Sequence, residues 1–271
     1  MAAVPHILAL DWSGAVRAAR RKIWLAEADG SALLRLENGR DRTEVADHLI
    51  ALASEHPDLI VGLDFAFSFP AWFLRQHGFS SAHDLWAASE ERGEQWLKTC
   101  PSPFWGRPGR PRPANVPDLF RRTELEVPAM AGIRPKSVFQ IGGAGAVGTG
   151  SIRGMAVLHR LSEAGFSVWP FDPPRLPVVV EIYPRLLTGP VNKSSQVDRV
   201  QYLGDRLHGD LLEKAASTED AFDAAVSALV MAAHREELLA LQQAQDDVER
   251  LEGRIWVSAG HPGAPVAGSS P

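Results

Sequence analysis

The sequence predicts an α/β protein: a mixed five-stranded sheet flanked by helices, interrupted by a helical and Pro-rich insertion. Two observations predict it. Short apolar runs of strand length recur along the chain, three of them near the amino terminus separated only by turn signals. Later runs alternate with segments of helical character, and a strand reached through a helix usually lies parallel to an earlier one by a right-handed crossover. A mixed sheet of this kind is covered by helices on its faces.

Taken in order, His6–Asp11 is a compact apolar run ending in a carboxylate, followed by Trp12-Ser13-Gly14: a strand and a turn. Lys22–Ala28 reads as a second strand and Ala32–Leu36 as a third, joined by the hairpin signal Asp29-Gly30. Thr43 is placed to cap a helix to about Glu55, with Val45, Leu49 and Leu52 on one face. Leu59–Asp64 is another apolar run ending in Asp, and a helix is expected near Ser81–Lys98. A strand (Val138–Ile141), a Gly-rich turn, a helix (Ile152–Ala164) and a strand (Phe166–Phe171) follow. Val178–Tyr183 is strongly strand-like, Glu219–Gln245 reads as the longest helix, and Arg254–Val257 as an edge strand. Without the insertion, the core layout is that of the RNase-H-like fold. One domain is expected over residues 1–257, with the insertion at about 71–136 and a disordered tail at 258–271.

Composition bounds the function. The chain has 271 residues, 45% hydrophobic and 23% charged, ample for a core and outside the disordered range. Lys plus Arg number 28 against 33 Asp plus Glu, a net charge of −5. That balance argues against indiscriminate coating of nucleic acid, but leaves room for a local groove. The single Cys100 excludes an internal disulfide and a cysteine-based zinc site. No apolar stretch approaches the roughly 18 residues of a membrane helix, and Met1–Leu10 lacks the basic start of a signal peptide. The expectation is a cytoplasmic monomer or small oligomer with no membrane partner. Eight of the 20 prolines lie between Pro101 and Pro135, beside Arg107, Arg110, Arg112, Arg121 and Arg122. The run reads as an exposed loop, either solvated or touching phosphates. Trp72, Trp86, Trp96 and Trp105 fill the core around it or stack bases, with core the expected role.

The carboxylates carry the main functional signal. Asp11 and Asp64 end apolar strands, and in parallel sheets sites gather beyond the carboxyl ends of strands. Glu181 interrupts the apolar run VVVEIY, where an unpaired charge is costly to bury. Asp220 and Asp223, three apart at the start of the long helix, share a face. Repelling carboxylates concentrated in one place call for a cation, and two-metal phosphodiester hydrolysis uses such a cluster. Each acid also has an ordinary alternative: a turn for Asp11, a helix cap for Asp220, an ion pair with Arg185 or another base for Glu181.

The segments LALDWSG (Leu8–Gly14), VGLDFAFSFP (Val61–Pro70), VFQIGGAGAVGTGSIRGM (Val138–Met155), VEIYPR (Val180–Arg185) and EDAFDAAVSALVMA (Glu219–Ala232) resemble the family of domain of unknown function four-two-nine, predicted RNase-H-like nucleases. The resemblance spans about His6–Trp256, and the last segment also resembles the closing helix of Holliday-junction resolvases. It implies a nuclease dependent on Mg²⁺ or Mn²⁺ acting on DNA or RNA, with Asp11, Asp64, Asp220 and Asp223 as metal ligands. Ribonucleases H also use an acid on the first helix, for which Glu44 or Asp47 could serve. Glu181 falls outside the usual ligand positions of that class.

A competing signal is the literal G-x-G-x-x-G of Gly143, Gly145 and Gly148, with Asp172 in the place of a ribose-binding acid. It suggests a nicotinamide cofactor. Against that, no second βαβ half follows, Pro173-Pro174 bends the chain after Asp172, and Gly150-Ser151 delays the helix. In a nuclease, Ser151, Arg153 and the helix start would hold a substrate phosphate instead, with Ser13 nearby. An actin-like ATPase or kinase would use Asp11–Gly14 as its phosphate loop, and a non-catalytic nucleic-acid-binding module would need no metal. No G-x-S-x-G elbow supports a serine hydrolase, and His6, His159, His208 and His234 lack metal-ligand spacing.

Overall fold

The computed structural model describes residues 5–130 and 132–258. It begins with a meander of β1 (Ile7–Asp11), a single-turn α1 (Ala19–Lys22), β2 (Trp24–Asp29) and β3 (Ala32–Glu37). Both strand pairs are antiparallel, and Gly30 turns the hairpin with φ +56°. Helix α2 (Arg42–Glu55) then carries the chain to β4 (Ile60–Leu63), which lies parallel to β1. Its cap is Asp41 rather than Thr43, because only Asp41 has Glu44 three residues on to close a reciprocal capping box.

Between β4 and the next core helix come α3 (Ala71–Gln76), α4 (Ala82–Thr99) and α5 (Arg122–Glu126). The core resumes with α6 (Gly148–Glu163), β5 (Ser167–Val168) and β6 (Val178–Glu181). Then follow α7 (Pro184–Thr188), α8 (Gln196–Leu203), α9 (Gly209–Ala216), α10 (Glu219–Ala233), α11 (Arg235–Leu239) and α12 (Asp247–Glu252). The sheet has six strands, not five, in the order β3-β2-β1-β4-β6-β5. The sixth is the two-residue β5, all that forms of the expected Phe166–Phe171 strand, parallel to β6 at the edge.

Other expected elements shrink for local reasons. Val138–Ile141 makes one bridge, Gln140 to Trp105, because its neighbour is the insertion and not a sheet edge. Arg254–Val257 likewise reduces to a bridge between Ile255 and Glu181. The expected long helix breaks at His234, where the short α11 begins, and helix does not resume until Asp246 caps α12. Of the expected tail, Ser258 is buried; residues 259–271 lie outside the described residues.

Helices cover both faces of the sheet. Leu8, Leu10, Val61, Leu63 and Val179 pack with Leu49 of α2 and Ile152, Met155 and Leu158 of α6. Ile7, Ala9, Ile60, Val178 and Val180 pack in the other layer, with Phe222, Val226 and Leu229 of α10. Alternation along each strand sorts these side chains. Of the four tryptophans expected in the core, Trp86 is fully buried and Trp96 and Trp105 nearly so, while Trp72 is half-buried against it. Among the described residues, no helix is long and apolar enough to cross a membrane.

Candidate active site: an aspartate cluster at the end of β1 and β4

Leu10 stands beside Leu63 in the parallel β1–β4 pair. One step on, Asp11 and Asp64 are neighbours, and the Asp64 N–H donates to the Leu10 carbonyl at 3.1 Å. Ile7 and Ala9 pack in the α10 layer, and Gly62 faces Met231 of α10. By the two-residue period of a strand, Asp11 and Asp64 point to that layer too. Thr218 caps α10 by accepting the Ala221 N–H, which sets Asp223 on the buried side of the first turns, 7% exposed. Asp11, Asp64 and Asp223 therefore meet at one end of the sheet, and Asp220 lies half-buried on the same helix.

The electrostatics follow from that crowding. Burial, then the charges of Asp64, Asp223 and Asp220, push the Asp11 carboxyl well above the usual carboxylate range. Burial and the Asp223 charge push Asp64 up to about 8. Burial also raises Asp223 and Asp220. The Tyr183 hydroxyl is pushed up to about 12, by burial and then by Asp64. Neither Asp11 nor Asp64 accepts a side-chain hydrogen bond from any described residue, and Asp223 Oδ1 is buried without a partner. Asp223 Oδ2 accepts from Lys193 Nζ. Among the described residues, no three or more His, Cys, Asp or Glu side chains stand in an arrangement ready to hold an ion. The donor set nonetheless suits a hard divalent cation: desolvated carboxylates, one oxygen orphaned, and mutual repulsion that a cation would relieve.

Glu181 lines the same cleft as Asp64 and its charge helps raise Asp64, but its oxygens are committed elsewhere. It pairs in register with Leu63, whose side chain packs in the opposite layer, and parallel neighbours share a face. Arg121, 1% exposed, grips it in a bidentate pair: Nη2 to Oε1 at 2.5 Å and Nη1 to Oε2 at 2.8 Å. The Phe67 N–H donates to the same Oε2 at 3.0 Å. Arg121 Nε also donates to Glu124 Oε1 at 2.9 Å. Burial opposes the Arg121 charge, but the two glutamates outweigh it and raise its pKa. The arginine run thus divides. Arg107 and Arg110 are exposed as expected, Arg112 stacks over Trp105 and Phe120, and Arg122 pairs with Asp246. Arg121 belongs to the core.

The first-helix acids are engaged elsewhere, Glu44 with Arg20 and Asp47 with Arg160. Ser151 is fully buried; its hydroxyl accepts the Ala66 N–H and donates to the Val147 carbonyl. Arg153 forms a two-point pair with Glu94 and donates to the Gly14 carbonyl. It braces the loop after β1. Ser13 accepts the Ala15 N–H within that loop.

In the Gly-rich turn, Gly143 and Gly145 turn the chain with φ +79° and +72°, and a Cβ on Gly148 would lie 2.0 Å from the Val138 carbonyl oxygen. A Cβ on Gly14 would lie 2.5 Å from the Gly150 nitrogen, and one on Gly154 2.5 Å from the Phe65 ring. Glycine lets the start of α6 press against the loops that carry Asp11 and Asp64, and Trp12 Nε1 locks the contact by donating to the Gly150 carbonyl at 3.1 Å. The dinucleotide fingerprint requires a strand before its glycines, which is not formed, and Asp172 is taken up by His83 and the Val168 N–H.

A cleft of about 390 Å³ opens beside Asp64, with Trp12, Tyr183 and Gly150 in its walls and Lys22 and Lys136 among its lining residues. Both lysines are exposed. Sequence patterns pointed to none of Lys22, Lys136, Tyr183 or Lys193, which lie in loops or at element ends where periodicity is silent. No protein-family model, curated protein or solved structure matches this chain.

Proposed function

We propose that this protein is a divalent-cation-dependent nuclease of RNase-H-like architecture that hydrolyses phosphodiester bonds in DNA or RNA. The observation that carries the reading is the convergence of Asp11, Asp64 and Asp223 on one face at the carboxyl ends of two adjacent parallel strands. Strand order supports the architecture: an antiparallel meander, then strands parallel to β1, with α10 across the first three.

Asp11, Asp64 and Asp223 would hold the Mg²⁺ or Mn²⁺, with Asp220 at the rim. A bound cation would supply Lewis-acid stabilisation of charge developing on phosphoryl oxygens. The protein's own groups would do the rest. Lys22 and Lys136 would draw a phosphate backbone into the cleft despite the net charge of −5. The Trp12–Gly150 and Arg153–Gly14 bonds would keep the loop after Asp11 fixed during the reaction. Glu181 would act at one remove, holding Arg121 and the insertion against the sheet.

The test is cleavage of labelled single-stranded, duplex and branched substrates in Mg²⁺ or Mn²⁺, comparing wild type with Asp11→Asn. The reading expects cation-dependent products that the variant does not make. Equal turnover by the variant, or none by wild type on every substrate, would sink it.

A further inference from the structure

Lys193 reaches the aspartate cluster from the loop between α7 and α8, and the fold fastens it there. Its side chain is only 12% exposed, with Nζ on Asp223 Oδ2. Its backbone carbonyl accepts from Arg199 Nη1, and Arg199, itself buried, donates Nε to the Ala216 carbonyl at 3.0 Å. The next residue, Ser194, donates to Glu219 Oε1 at 2.9 Å at the start of α10. Arg185 Nη1 holds the same loop through the Val191 carbonyl at 2.9 Å. Ordering and desolvating a lysine costs free energy, which a fixed carboxylate partner offsets.

We propose that Lys193 is the resident cation of the cluster, standing beside Asp223 where a second metal would otherwise sit, so that the site takes up a single divalent ion. The inference rests on the cation-dependent reading above. Asp223 divides its oxygens accordingly: Oδ2 is committed to Lys193, while Oδ1 is buried and unpartnered. Arg185 stands behind the pair, its Nη1 on the Gly189 and Val191 carbonyls. A second divalent ion would need the Asp223 oxygen that Lys193 occupies.

The experiment counts Mn²⁺ bound to the full-length protein by electron paramagnetic resonance of the free ion. Sites at the cluster are defined as those lost in Asp11→Asn. Lys193→Met removes the charge and keeps the apolar stem, Lys193→Arg keeps the charge, and circular dichroism checks folding. One site in wild type and in Lys193→Arg, rising to two in Lys193→Met, is the expected result. Two sites in wild type, or one in a folded Lys193→Met, overturns the resident-cation assignment while leaving the cation site standing. If Lys193→Met does not fold, one site in wild type and two in Lys193→Arg also overturns it, because the larger head should exclude a metal at least as well. No site in wild type, or an unchanged count in Asp11→Asn, overturns this inference together with the nuclease reading.

Discussion

Replacing Arg121 with Met should be among the most damaging single changes in the chain, and the damage should depend on pH in a defined direction. Arg121 is 1% exposed and donates to Glu181 twice, to Glu124, and to the Glu252 carbonyl at 3.1 Å. Methionine roughly fills the volume but leaves two buried carboxylates without their counter-charge. Removing one partner of a buried pair costs about 3–5 kcal/mol. At low pH Glu124 can escape its share of the penalty by taking up a proton. Glu124 already leans that way, since burial pushes it up to about 7 even with the arginine present. Its raised folded pKa means that its share of stability is complete below the unfolded value and is lost as pH rises through about 7. The Arg121→Met penalty should therefore approach the full figure at pH 8 and shrink at pH 5. Urea denaturation at both pH values measures it. Adding Glu124→Leu and Glu181→Leu should recover most of the loss, because a buried ion network replaced by apolar groups is often neutral or better. A penalty below about 1 kcal/mol at pH 8, or one that is equal at the two pH values, would mean that Arg121 is not the counter-charge of these glutamates.

Other outcomes follow from the same geometry. Gly154→Ala places a methyl 2.5 Å from the Phe65 ring and should cost about 1–3 kcal/mol in urea denaturation; an unchanged midpoint would contradict the close packing of α6. In chelator, Asp11→Asn should gain stability relative to wild type as pH rises from 4 to 8, because the folded pKa of Asp11 is raised and wild type loses that share of stability over the window. Thermal melts of both proteins test this, and a gain that shrinks with pH would reverse the sign and refute it. Lys136→Gln should weaken nucleic-acid binding across sequences and reduce the slope of log affinity against log salt by about one. An unchanged slope in a fluorescence-anisotropy titration would remove Lys136 from the binding path.

Much of the frame was legible because its signals are local. The apolar runs around Leu8, Leu25, Val61 and Val179 announced strands, and the Asp29-Gly30 turn announced the hairpin. Asp11 and Asp64 were legible for the same reason, each closing such a run. Glu181 looked equivalent in the sequence, but its face of the sheet depends on register with Leu63, which only tertiary pairing sets. Arg121 sat unnoticed among arginines that face water, because the partner that buries it is 60 residues away. The G-x-G-x-x-G spacing carried more than one reading, because glycine serves a tight turn, as at Gly143 and Gly145, as readily as it serves a phosphate. Lys193 had no periodic pattern around it, and its role comes from a loop fastened by Arg199 and Arg185.

Everything proposed for the aspartate cluster depends on a cation binding there, and a bound cation can be located. Crystals grown in Mn²⁺ and measured at the manganese absorption edge would give an anomalous peak wherever the ion binds. The expected peak lies in contact with Asp11, Asp64 and Asp223 Oδ1 and is absent from crystals of Asp11→Asn. A peak elsewhere, or an aspartate cluster that stays without an ion at saturating Mn²⁺, would contradict that expectation.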